Sequence, residues 1–313
     1  MKAYDELVAR SPQGSVFASS WWLDAVAPGA WRAHEIEDGG ELVAAWPTVV
    51  KRNRFGPVHT GAPLTPFLGP LYAARGKPLK RRAQEINLLE LLLERIGPFA
   101  YLEARCHPAF DYWTPLAWHG FSQTTHYTWR LPRGLDAESV WGDLRENIRR
   151  EVRKAEKRGV TVAESPLGEF EELRRRRATH DAGGGGSAAL ARIEPAAAAR
   201  GRRTILLARD ADGLVHAGGY FVHDDDYVYY LSGASEPELR SSGAGSLVLW
   251  KAIEMAAERG LGFDFEGSML PGVERFFRAF GGEPAPYSIV RKTASRGLRV
   301  VRPFARMARS LGA

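Results

Sequence analysis

The sequence predicts an α/β (α+β) chain built from two tandem halves. Three observations carry this expectation. Three β-favouring runs separated by tight turns occupy 204–235. A glycine-punctuated helix and a short apolar strand follow them. The first half repeats the order helix, Glu-Arg, Gly, strand: "LLERIGPFAYLEAR" (92–105) parallels "AAERGLGFDFEGS" (256–268).

Each element has its own warrant. "WRAHEIED" (31–38) and "ELVAAWPTVVK" (41–51) flank Gly39-Gly40 and read as a hairpin. "HTGAPLTPFLGPLY" (59–72) is punctuated by proline and reads as a loop. A long helix is predicted over 79–96, and a strand, "FAYLEAR", over 99–105. A helical insert then separates the halves. Asp136 suits an N-cap for one helix running to about Arg158, and a second helix covers 167–179. "HDAGGGGSAAL" (180–190) leads into an alanine-rich helix ending near Arg200. Four consecutive glycines, 183–186, suit either a connector or a lid over a cleft.

The second half continues with strands at 204–210, 214–223 and 227–235. A helix over 244–259 repeats Leu249, Ala252, Ile253 and Ala256 at helical spacing and stops at Gly260. "FDFEG" is a short strand, 272–282 a short helix, and "YSIVRK" (287–292) a last strand. The boundaries expected from this pattern are 1–134, 135–293 and a basic tail, 294–313.

Composition excludes several classes. In 313 residues, 44% are hydrophobic and no apolar run reaches the roughly 18 residues of a membrane helix. One cysteine, Cys106, forbids an internal disulfide, and with no apolar leader at the start a cytoplasmic protein is expected. His107 beside Cys106 does not make a nucleophile–base pair, and an inert thiol is expected. The histidines show no metal-binding spacing and no serine sits in a Gly-x-Ser-x-Gly elbow, so neither a metal site nor that type of nucleophile is expected. The net charge of +6 is concentrated. Basic clusters lie at 145–158, at 172–177 and in the tail, where Phe304, Met307 and Leu311 recur at helical spacing. Such clusters suit a phosphate-rich partner, or else a solvated face with local ion pairs. For the tail the alternatives are peripheral contact with a membrane surface, contact with RNA, docking on the body, or disorder.

The segment "RSSGAGS" (240–246) stands between a strand and a helix. A glycine turn at a helix start leaves several backbone N–H groups pointing one way and favours an anion. Gly243 and Gly245 would let a phosphate approach the backbone, with Arg240 adding charge; a purely structural turn is the alternative. The pattern is neither a P-loop nor a Rossmann fingerprint.

Arg-x-x-Gly-x-Gly in that position resembles the acetyl-CoA pyrophosphate loop of the GCN5-related N-acetyltransferases (GNAT). "FDFEGS" followed by "GVERFFRAFGG" resembles the Fem-type branch, which includes aminoacyltransferases and acyltransferases. "RENIRREVRKAEKRGVTV" (145–162) resembles the basic helix and strand that open the Fem catalytic half, and "HYTWRL" (126–131) the strand that ends the first. The resemblance implies two acetyltransferase-like halves, each a mixed, mostly antiparallel sheet flanked by helices. It also implies transfer of an acyl or aminoacyl group to an amine. Fem enzymes of the tRNA-dependent kind carry a Phe-Lys pair in the last helix, where this chain has Phe277-Arg278. Arginine keeps the charge and changes its geometry.

The chemistry implied needs a base for the amine, stabilisation of an oxyanion and a proton for the leaving group. Asp264 and Glu266, alternating on a strand and therefore sharing a face, are the expected catalytic carboxylates. The alternative is that either one is the ion-pair partner of Arg275 or Arg278. Tyr230 is the expected proton donor; for Tyr229 and Tyr230 a core role is the alternative, and for Ser268 a cap on the helix that follows. Arg240, Gly243, Ala244, Gly245, Ser246, Phe277 and Arg278 are expected to hold the donor, and Ser268, Tyr229 and Arg275 the acceptor. The favoured donor is aminoacyl-tRNA, with acyl-CoA as the alternative and no bound cofactor; the acceptor is an amine-bearing small molecule or peptide. A non-enzymatic binding or scaffold protein of the same fold is the reading from a different class.

Overall fold

A computed structural model of the chain describes residues 2–73, 78–178, 185–267 and 269–299. The chain divides into two compact units, one of residues 1–126 with 286–313 and one of residues 127–285.

The first unit starts with helices α1 (Lys2–Arg10) and α2 (Ser20–Val26). Strands β1 (Trp31–Asp38) and β2 (Glu41–Asn53) form the expected hairpin, turned at Gly39 and Gly40, both at positive φ. β3 (Gly56–Thr60) continues the meander, and the two-residue β4 (Leu71–Tyr72) pairs β2 within the segment expected to be loop. Helix α3 (Pro78–Ile96) crosses over to β5 (Tyr101–Arg105), which runs parallel to β3; the short α4 (Thr114–Trp118) follows. Trp46, Leu89, Leu92, Leu102 and Phe110 pack the core between helix and sheet.

The second unit takes up the end of β6 (Ser122–Leu131) and continues with α5 (Ala137–Asp143), α6 (Glu146–Lys157), β7 (Thr161–Glu164), α7 (Leu167–Ala178) and α8 (Gly185–Ala199). The three expected strands are present as β8 (Arg203–Arg209), β9 (Val215–His223) and β10 (Tyr227–Ser235). A 3₁₀ turn, Pro237–Ser242, leads into α9 (Ala244–Glu258), β11 (Gly262–Asp264) and α10 (Pro271–Arg278); β12 (Glu283–Thr293) follows, most of it belonging to the first unit. The strand order is β7-β8-β9-β10-β11-β6, with only the β10–β11 pair parallel. α9 buries Leu247, Leu249, Ile253 and Ala256 against this sheet.

The two units share a topology. In each, an antiparallel meander is followed by a helical crossover to a parallel strand, β5 or β11, and that strand has an antiparallel neighbour on its other side. The neighbour comes from the far part of the chain in both: β12 for the first unit, β6 for the second.

One expected helix is two. Asp136 does cap a helix, its carboxylate accepting from Ser139 N at 2.8 Å. That helix ends at Asp143, because Leu144 turns extended to bury its side chain. Arg145 N then donates to Ala279 O at 3.0 Å, anchoring the break before α6 begins. Gly183, Gly184 and the tail from residue 300 lie outside the described residues, while Gly185 and Gly186 open α8. Among the described residues, no helix is long and apolar enough to cross a membrane.

Candidate active site

The glycine turn of the second unit is built as the sequence suggests. Gly243 adopts φ +86° and forms the N-cap of α9. A Cβ there would stand 2.1 Å from the Glu151 carbonyl of α6, so only glycine fits on both backbone and packing grounds. Gly245 differs. It is exposed, and nothing lies within 4 Å of the place its Cβ would take. The fold does not need glycine there, whereas a ligand approaching the first turn of α9 would. Ala244 and Ser246, flanking it, point inward and are buried. Arg240 is exposed on the 3₁₀ turn leading to Gly243.

The two carboxylates behave differently from the expectation. β11 stops at Asp264, and Glu266 takes φ +50°, so the pair does not share one face of a strand. Asp264 is fully buried. Its Oδ2 accepts from Arg130 Nε at 2.7 Å, and its Oδ1 accepts from the Thr128 hydroxyl and from Glu266 N, the latter at 2.8 Å. Arg130 and Thr128 stand two apart on β6, and Arg130 is the direct strand partner of Asp264. Burial works against the Arg130 charge, but the adjoining carboxylate outweighs it and holds the guanidinium above its ordinary pKa. Asp264 is therefore a structural carboxylate, and its ion-pair partner is Arg130 rather than Arg275 or Arg278. Its role is to fix the bend at the strand end: Phe265 N donates to Trp129 O at 3.0 Å, and Gly267 N to the Thr128 hydroxyl at 2.9 Å. Glu266, half-buried at the apex of this bend, is left as the candidate acid–base carboxylate.

The tyrosines point to opposite faces, as their adjacency on β10 requires. Tyr229 is 1% exposed and donates to Asp224 at 2.9 Å. Burial, reinforced by the Asp224 charge, pushes its phenol well above the usual range. The expectation that it binds an acceptor gives way to a core role. Tyr230 is half-buried, stacks on Phe221 at 5.4 Å and meets Phe277 edge-on at 6.0 Å. The bulge between Tyr230 and Ser232 bends β10 here, and the Tyr230 ring lies over Gly233. Phe277 is buried and also packs on Phe265 at 5.4 Å, so it joins α10 to the strand end rather than facing a donor. Arg275 and Arg278 are exposed on α10, where Arg278 pairs with Glu274 at 3.1 Å. Ser268 lies outside the described residues.

Sequence reasoning missed Thr128 and Arg130. The available signal was the alternation of polar residues in "HYTWRL", which marks one face of a strand and gives no hint of which strand it will meet.

Comparisons with known proteins agree with this architecture. Residues 142–278 match the model of the acetyltransferase (GNAT) domain. No curated protein matches the sequence significantly. Among solved structures, FemX is similar over 92% of this chain and 95% of its own, with a TM-score of 0.68 at 16% identity. L-PGS from Bacillus licheniformis is similar over 96% and 93%, with a TM-score of 0.57 at 11% identity. The C-terminal domain of a putative lysylphosphatidylglycerol synthetase from Agrobacterium fabrum is similar over 92% and 90%, with a TM-score of 0.56 at 13% identity. The chain thus has a fold similar to that of FemX over nearly its whole length, and the segment matching the acetyltransferase (GNAT) model lies in the second unit.

Proposed function

We propose that this protein is an N-acyltransferase that moves an aminoacyl group from aminoacyl-tRNA to the amine of a small-molecule or cell-wall-type acceptor. The observation that carries the reading is the FemX-like fold over nearly the whole chain, first unit included.

In this reading the acceptor nitrogen attacks the ester carbonyl of the donor. The new C–N bond forms, the C–O bond to the terminal ribose breaks, and the proton lost by the amine reaches the leaving hydroxyl. Glu266 takes the proton from the amine, and Tyr230 returns one to the leaving oxygen. The N–H groups at the start of α9 hold the anionic part of the donor near Gly245. Asp264, Thr128 and Arg130 do not touch substrate; they hold Glu266 in place.

One observation favours a second donor. The exposed Gly245 after Arg240 and Gly243 suits the pyrophosphate of an acyl-CoA equally well. Titration of the purified chain with acetyl-CoA, and separately with charged tRNA at two salt concentrations, separates the two. Salt-sensitive tRNA binding without CoA binding is expected. Micromolar CoA binding lost in Gly245→Leu would replace the tRNA reading. A scaffold protein would keep its binding in Glu266→Gln, whereas the enzyme loses transfer and keeps donor binding.

A further inference from the structure

Helix α6 forms one wall of the glycine turn, with the Glu151 backbone in contact with Gly243. Its inner face, Ile148, Val152 and Ala155, is buried in the core of the second unit. Its outer face carries Arg150, Arg153 and Lys157, all exposed, at i, i+3 and i+7.

The basic charge of α6 differs in availability from that of α7. On α7, Arg174 pairs with Glu171 at 2.8 Å, Arg175 with Glu172 at 2.6 Å, and Arg176 with Glu172 at 3.5 Å and Glu236 at 3.8 Å. Each of these three arginines thus has a carboxylate partner. On α6, Glu146 takes Arg149 at 3.0 Å and Glu151 takes Lys154 at 3.4 Å. Arg145, Arg150, Arg153, Lys157 and Arg158 have no carboxylate within 4.0 Å among the described residues. Arg153 instead lies over the Trp141 ring at 5.5 Å, which orders its guanidinium without neutralising it.

We propose that the outer face of α6 is an RNA-backbone surface that carries the body of the donor whose terminal phosphate lies at the glycine turn. This rests on the reading of the donor as tRNA. Arg150 to Lys157 spans about 10 Å along the helix, and Arg145 to Arg158 about 20 Å. That length suits several successive phosphates of a polymer and exceeds what a single pyrophosphate can occupy. An anionic lipid surface is the weaker fit. The apolar residues of α6 are already buried in the core, so the helix has no apolar face to insert.

The test is tRNA binding by the full chain, followed by fluorescence anisotropy over a salt series, for wild type, R150Q/R153Q/K157Q and, as the α7 control, R174Q/R175Q. The α6 variant is expected to lose at least about tenfold in affinity near 0.1 M salt, and its log–log salt slope to flatten by about 2 to 3. The α7 control should stay within about twofold of wild type. A second measurement needs no variant: bound tRNA should protect Lys157 from an amine-reactive label. If wild type binds tRNA while the α6 variant keeps affinity and slope and Lys157 stays reactive, the α6 surface is overturned and the tRNA reading survives. If wild type binds no tRNA at low salt, the tRNA reading itself fails. If the variant loses binding to phosphatidylglycerol vesicles but not to tRNA, the face serves a membrane and the proposal is overturned.

Discussion

The two units solve one structural problem twice. In the first, Glu103 on β5 is gripped by Arg291 on β12, with Nε 2.7 Å from Oε2. In the second, Asp264 on β11 is gripped by Arg130 on β6, again with Nε at 2.7 Å. Both pairs are direct strand partners, and both lie on the strand after the crossover helix. The difference is in burial and in how each strand continues past its carboxylate. The Glu103 and Arg291 side chains are 27% and 28% exposed, against 0% for Asp264 and 12% for Arg130. Burial raises the Glu103 pKa, but hydrogen bonds from Tyr101 and Arg291 bring it net below the usual carboxylate range. β5 continues to Arg105, whereas β11 ends at Asp264, whose carboxylate also accepts from Glu266 N. The ion pair is the shared scaffold; the bend presenting Glu266 belongs to the second unit, which also carries the exposed glycine at a helix start.

The comparison can be broken most strongly at Asp264. Asp264→Ala leaves the largely buried Arg130 without its counter-charge and should destabilise the fold by about 3–5 kcal/mol. Urea unfolding of Asp264→Ala and Glu103→Ala measures the contrast; equal losses would mean that the two pairs are equivalent despite their burial. Next in size is Gly243→Ala, which meets both the positive φ and the Glu151 carbonyl and should cost about 2 kcal/mol or more. Gly245→Ala should fall between neutral and about 1 kcal/mol stabilising, since helix propensity improves and nothing is in the way. Thermal midpoints of the two variants check this ordering.

A smaller, graded effect belongs to the first unit. His59 is buried and hydrogen-bonded to Thr48 at 3.0 Å; burial first, and then nearby His34, lower its pKa to about 4. The unfolded chain therefore binds this proton more readily. The stability contributed by neutral His59 is complete above about pH 6.5 and is lost as pH falls towards 4. His59→Asn should flatten that part of the stability–pH curve, measured by denaturant midpoints at half-unit steps. The smallest effect is Glu103→Gln, expected within about 1 kcal/mol because the pair is partly solvated.

Much of this architecture was legible in the sequence. The β1–β2 hairpin, the three strands β8 to β10 and helices α3, α7 and α9 follow from periodicity and turn residues within the first and second halves. The glycine turn was legible because Gly243 and Gly245 stand between a β-favouring run and an apolar helical repeat. The illegible part depends on pairing across the chain. Counted from the glycine after each helix, Glu103 aligns with Glu266; by strand partner it corresponds to Asp264. The sequence cannot reveal that Arg130, 134 residues away, would claim Asp264. Nor can it reveal that Glu266 would leave the strand at positive φ. The break between α5 and α6 was hidden for the same reason, since it is stabilised by the carbonyl of Ala279.

The central claim is that the turn at Gly245 receives the donor. The most direct measurement is the dissociation constant of charged tRNA for wild type and Gly245→Leu, with far-ultraviolet circular dichroism and the thermal midpoint recorded for both. The account predicts an unchanged fold and a donor affinity at least about tenfold weaker in the variant. A folded Gly245→Leu protein that binds the donor as tightly as wild type would contradict it.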